Sequence, residues 1–197
     1  AYILKKNIFQ ISLNYTQSNT FAQSTNILKN FVNTGNRFEI TSALSDKLSG
    51  SGQTQNKFLI DTGSSQINLD LEYGLSEKFS LALTIPYIAY HGGFLDAPIE
   101  MVHQIAGFSY YSRSKLIQNT SQVYFSGNQD ELFLDSSDLN SSGFGDIVFT
   151  AKGQLFQSAN MDFTLATRVA IKISTGNFRQ LRGSGSFDYG IDLKHSH

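Results

Sequence analysis

Between Ser65 and Tyr90 the chain alternates apolar and polar side chains almost without a break, reading SQINLDLEYGLSEKFSLALTIPYIAY. In its first half Ile67, Leu69, Leu71 and Tyr73 share one parity, against Gln66, Asn68, Asp70 and Glu72. In its second half Phe79, Leu81, Leu83, Ile85 and Tyr87 oppose Lys78, Ser80, Ala82 and Thr84. A period of two belongs to extended backbone, whose side chains point to opposite faces in turn. The stretch therefore predicts two strands joined by the short polar turn 74–78 as an antiparallel hairpin. The same alternation runs over 7–15, with Phe9, Ile11, Leu13 and Tyr15 on one side. It returns at Gly145, where Ile147, Phe149, Ala151, Gly153 and Leu155 oppose Asp146, Thr150, Lys152 and Gln154. After a QSAN turn, Met161, Phe163, Leu165, Thr167, Val169, Ile171 and Ile173 enclose Asp162, Thr164, Arg168 and Lys172. A last run sets Phe187, Tyr189, Ile191 and Leu193 against Asp188, Asp192 and Lys194.

The segments between are of other kinds. Residues 16–36 are polar with brief apolar clusters and read as a long loop, 37–44 as a strand with Phe38 and Ile40 on one face, and 45–57 as a Gly/Ser/Gln loop. Residues 57–61 either begin a separate strand or extend the one at Ser65. After Tyr90, GGFLDAPIEMVHQIAGF carries helix signals: Asp96 as N-cap, Pro98 in the first turn, Gly107 as stop, and a stripe of Ile99, Val102 and Ile105. It is the one clear departure from β pattern. Residues 122–125 and 131–135 form a short hairpin around GNQD. The connections at 74–78 and 157–160 are short, those at 91–119 and 174–185 long, and the two kinds fall at opposite strand ends. Outer-membrane barrels have that layout, with strands of about 9–11 residues.

Composition narrows the class. Charged residues make up 16% and aromatic residues 13%, with only two prolines, while apolar content is a modest 40%. No run approaches the ~18 apolar residues of a membrane helix, whereas a transmembrane barrel needs only alternate residues to face lipid. Net charge is −1, so no basic footprint for nucleic acid is present. The absence of cysteine excludes disulfide frameworks and thiol chemistry. The reading is all-β: an antiparallel up-and-down transmembrane β-barrel over 1–197, with one short helix inserted in a long loop.

Certain segments carry a resemblance. Tyr73-Gly74-Leu75, Pro86, Gly92-Gly93-Phe94-Leu95-Asp96, Ile99-Glu100 with His103, and Arg113 resemble an uncharacterised family of Gram-negative outer-membrane β-barrel proteins. GFGDIVFTAK, IKISTG and GSGSFDYG resemble segments of transporter-like barrels. The resemblance spans about 65–195 and implies fold and outer-membrane location, without an activity. Such barrels close with a strand ending in an aromatic residue, while this chain stops at Lys194-His195-Ser196-His197, so the strand set is expected to be incomplete, with strands lacking at the C-terminal side.

Glu100 and His103 stand one helical turn apart and share a face, an arrangement suited to a structural hydrogen-bonding role, to solute contact, or to general base work. The structural role leads. No serine stands in a nucleophile motif, and His195 with His197 near the chain end makes a weak metal pair. Lys152, Arg168, Lys172 and Asp188, with Asp146, Asp162 and Asp192, form a mixed-sign set on the expected lumen face. They either tune solute selectivity or pair across strands. The candidate solute-contacting residues are thus Glu100, His103, Arg113, Lys152, Arg168, Lys172 and Asp188, with no catalytic residue, metal or cofactor expected. The expected function is a passive channel or binding surface for a small solute in the outer membrane, its lumen partly occluded by the 95–107 helix, with membrane lipid as partner. A lipid-modifying enzyme using Glu100 and His103, and a soluble β-barrel holding an apolar ligand, are the alternatives.

Overall fold

Each alternating stretch becomes a strand in the computed structural model, which describes residues 3–25, 27, 37–41, 56–108, 113–127, 131–160 and 163–196. In chain order these are β1 (Phe9–Gln23), β2 (Lys57–Ser76), β3 (Phe79–His91), helix α1 (Asp96–Ala106), β4 (Gln122–Ser126), β5 (Glu131–Leu134), the one-turn helix α2 (Ser136–Leu139), β6 (Ser142–Phe144), β7 (Ile147–Gln157), β8 (Thr164–Ile173) and β9 (Asp188–Ser196). The strands follow the order β5-β4-β2-β3-β7-β8-β9, with β1 on β2 and β6 on β3. The β4–β2, β4–β5, β3–β7, β7–β8 and β8–β9 pairs are antiparallel, and β7 carries a register shift between Gln154 and Phe156. The chain gathers into two compact units. Unit 1 comprises Ala1–Thr16, Gln66–Ile88 and Gly143–His197; unit 2 comprises Gln17–Ser65 and Ala89–Ser142.

Several expectations are corrected. β1 runs on through Gln23, where polar composition suggested a loop from residue 16, because its backbone keeps pairing with β2 whatever its side chains. Lys57 is part of one unbroken twenty-residue strand with Ser65. The 74–78 turn tightens to Glu77-Lys78. Phe38 makes an isolated bridge to Leu116 in place of a strand, while 42–55, 28–36, Met161 and Asp162 lie outside the described residues. α1 is not the only break from β: α2 follows it, and short 3-10 turns occur at Arg113–Lys115 and Phe178–Gln180. Among the described residues no helix is long and apolar enough to cross a membrane, which leaves strands untouched.

In unit 1 the register lines up whole rows of like side chains. Leu83, Phe149, Ile171 and Tyr189 are neighbours across four strands, as are Leu81, Ala151, Val169 and Ile191. These apolar rows stand open: Phe149 is 48%, Val169 38% and Ile191 69% exposed. On β1, Phe9, Ile11, Leu13 and Tyr15 are exposed likewise. The intervening rows are charged or small: Ser80, Lys152, Arg168 and Asp192 form one, Ala82, Thr150, Ala170 and Gly190 the next, and Lys172 meets Asp188 in a third. Aromatic rings gather at both strand ends, with Tyr73, Phe79, Phe156 and Phe163 beside the short turns and Tyr87 packed edge-on against Phe144 at the other.

Unit 2 gathers its apolar side chains inward. Leu59 of β2 faces Tyr124 of β4, and with Ile27, Ile40 and Leu116 they form a core closed to solvent.

Candidate functional site

The first cluster is a consequence of strand parity. Asp61 lies two residues beyond Leu59 on β2, so its side chain points to the buried side, and it is 1% exposed. A carboxylate cannot stay there alone. Arg113, brought in by the 3-10 turn, places Nε 3.2 Å from Asp61 Oδ1 and ion-pairs through Nη2 with Asp96 Oδ2. Asp96 was expected to cap α1, but Leu95 holds the N-cap position without a side-chain cap bond. Asp96 is drawn instead into the buried cluster, accepting from Asn19 Nδ2 at 2.8 Å and from the Asn119 backbone N–H at 2.9 Å. Gly93 is required beside it, because a Cβ there would collide with Asp96 Oδ1 and Asn19 Nδ2. Gly107 ends α1 at a φ of 68°, as its sequence position predicts.

On the next turn of α1, Glu100 receives both Nη atoms of Arg37, at 2.9 and 2.7 Å, and Gln118 Nε2 at 2.7 Å. The Arg37 hydrogen bonds hold the Glu100 carboxyl below its usual range, which makes it an ion-pair partner and a poor base. Asp61 is shifted the other way: burial pushes its carboxyl up to about 7, against the pull of Arg113.

A cavity of about 290 Å³ opens beside this network, lined by Asn19, Phe21, Asp96, Ile99, Glu100, His103 and Arg113. Three residues singled out from the sequence, Glu100, His103 and Arg113, thus meet at one place. The Arg113 guanidinium lies 5.9 Å from the centre of the Phe21 ring. Asn19, Phe21, Arg37 and Asp61 carried no sequence signal, since each reaches the site only through pairing between distant segments. The apolar stripe on α1 is exposed, with Val102 at 54% and Ile105 at 80%.

The second cluster lies on the polar face of unit 1. Gln10, Ser12, Asn14, Asp70, Glu72, Ala82, Thr84, Thr150, Lys152 and Arg168 line a cavity of about 320 Å³. Its charges are paired: Lys152 Nζ to Glu72 Oε2 at 2.7 Å and Arg168 Nε to Asp192 Oδ2 at 2.5 Å. Asp70 accepts from Asn14 Nδ2 at 2.7 Å and Thr84 Oγ1 at 2.5 Å. Lys172 pairs with Asp188 and stands 3.7 Å from Asp146. Asp146 also gathers the backbone N–H groups of Gly176 and Ser184, so the GSGS segment serves to fasten the 174–185 connection. Lys152 and Arg168 line the cavity, whereas Lys172 and Asp188 form a separate pair. Among the described residues no group of three or more His, Cys, Asp or Glu is placed to hold a metal ion.

Comparison with known proteins gives one match: the family described as Protein of unknown function (DUF3187), over residues 12–197. No curated protein and no solved structure matches the chain.

Proposed function

We propose that this chain, which belongs to the DUF3187 family of unknown function, forms the wall of a β-barrel in the outer membrane of a Gram-negative bacterium. Its polar face lines a passive aqueous route for small polar solutes. The membrane-crossing stretches are those of unit 1: Phe9–Thr16, Gln66–Ser76, Phe79–Ile88 and strands β7, β8 and β9.

One observation carries the reading. The apolar rows of unit 1 are exposed while the charged rows opposite pair with one another around a cavity. A sheet in water buries the first kind of row and exposes the second; a sheet in lipid does the reverse. Ion pairs on the polar face are tolerable in a wet lumen and costly against hydrocarbon. Strand lengths of 13, 11, 10 and 9 residues for β3, β7, β8 and β9 suit a tilted crossing. Aromatic rings at both strand ends suit the two interfaces.

The test is behaviour in detergent and in bilayers. The purified chain should require micelles, migrate as a heat-modifiable band, and give conductance steps in planar bilayers. Lys152→Glu should move the ion preference of those steps toward cations, since it reverses one of the two positive charges lining the cavity. A chain that is monodisperse in plain buffer would overturn the proposal.

A further inference from the structure

We infer that α1 lies flat in the boundary between the headgroups and acyl chains of the bilayer, with Met101, Val102 and Ile105 turned into lipid. The inference rests on the reading of this chain as an outer-membrane protein, and gives it a lipid contact made by a helix as well as by strands.

Unit 2 buries an apolar core, but α1 is set the other way round, with its polar side inward. Asp96, Glu100 and His103 recur at every third or fourth position and share one face. They are the only residues of the helix that are buried or half-buried. Asp96 is held by Arg113, Asn19 and the Asn119 backbone N–H, and Glu100 by Arg37 and Gln118. These contacts fix the rotation of α1 about its axis and engage both of its carboxylates. Every other position of the helix is exposed, and none carries a charge. Met101, Val102 and Ile105 lie on the side opposite Asp96 and Glu100, and Phe94 and Phe108, just beyond the two ends, are exposed as well. A helix on a body bathed in water turns its stripe the other way.

Charge and area select the occupant. Helices drawn to anionic headgroups carry lysine or arginine beside the apolar stripe, and α1 has neither. What it presents is an uncharged surface suited to hydrocarbon. A stable protein partner needs more room. A half-cylinder about 16 Å long and about 10 Å wide offers on the order of 250 Å², against the ~800 Å² that each side of a specific interface covers. Lipid sets no such minimum, because apolar burial acts in proportion to the area each side chain removes from water. At about 16 Å the helix is too short for the ~30 Å hydrocarbon core, so it lies along the surface. Only Gly92 to Leu95 join it to β3, a strand that crosses the bilayer in the proposed barrel.

The test uses the whole chain in phosphatidylcholine vesicles, with a single cysteine carrying the fluorophore NBD at Ile105 of α1 or at Val169 of β8. One quencher is doxyl-labelled phosphatidylcholine, which reaches lipid, and the other is iodide, which reaches water. Both positions should be quenched by the doxyl lipid and protected from iodide. Val102→Glu, at an exposed position, should cost the Ile105 label most of its doxyl quenching and leave the Val169 label unchanged. Doxyl quenching at Ile105 that Val102→Glu does not alter would overturn the inference, because the label alone would then be entering lipid. Iodide quenching at Ile105 beside doxyl quenching at Val169 would overturn it and leave the barrel standing, as expected of a helix held in an aqueous lumen. Iodide quenching at both positions would overturn the barrel reading too. Protection of Ile105 from both quenchers would mean a protein cover, a second copy included, and would overturn the inference alone.

Discussion

Asp61 and Glu100 both lie where the Arg113 guanidinium lowers a carboxyl, yet the two shift in opposite directions. Glu100 reaches partly into solvent, and the Arg37 fork favours its ionised form. That stabilisation is present above the ordinary carboxyl value of 4.5 and is lost as pH falls through and below it. Asp61 is enclosed, and burial favours its neutral form. Its contribution is complete below 3.8 and is lost as pH rises through about 7. The shift corresponds to a loss on the order of 4 kcal/mol across that window. Thermal melts of the whole chain between about pH 5 and about pH 8 should therefore fall with rising pH, and Asp61→Asn should flatten the profile. A parent profile already flat over that range, or one unchanged by the substitution, would contradict the reading of Asp61.

On β8, Val169 belongs to an apolar row with Leu81, Ala151 and Ile191, while on β7 Thr150 belongs to the polar face. If the apolar row faces lipid, Val169→Arg should destabilise the folded barrel by about 2–4 kcal/mol. Thr150→Glu, set near Lys152 and Arg168, should stay within about 1 kcal/mol. Denaturant titration in lipid vesicles measures both, and equal costs would argue that neither face meets hydrocarbon. These strands were legible in the sequence because their faces differ so sharply in polarity. The second half of β1 was not: TQSNTFAQ lacks alternation, and its strand conformation comes from backbone bonding to β2. Asp96 misled for a related reason. Local preference places aspartate at a helix N-cap, but here a buried arginine and two amide donors compete more strongly for the same carboxylate. That Glu100 and His103 share one helix face followed from their spacing; the arrival of Arg113, Asp61, Asn19 and Phe21 beside them did not, since it depends on which distant segments pair.

At the scale of the whole molecule the two units treat their apolar side chains differently. Unit 2 closes a core of Ile27, Ile40, Leu59, Leu116 and Tyr124, whereas unit 1 leaves its apolar rows open and pairs its charges on the other face. Among the described residues β9 pairs only with β8 and β1 only with β2, so the proposed barrel requires a partner at both edges, since a bilayer tolerates no unpaired strand edge. The central claim is the direction in which the faces of unit 1 point, and the absence of native cysteine allows it to be measured directly. Single cysteines placed one at a time along β8 (Thr164–Ile173) and labelled with a nitroxide report their surroundings in vesicles through collisions with oxygen or with a water-soluble nickel chelate. The account predicts a period of two: oxygen dominates at Leu165, Thr167, Val169, Ile171 and Ile173, and the nickel chelate at Ala166, Arg168, Ala170 and Lys172. Nickel access at every position, or the same alternation with its phases reversed, would contradict it.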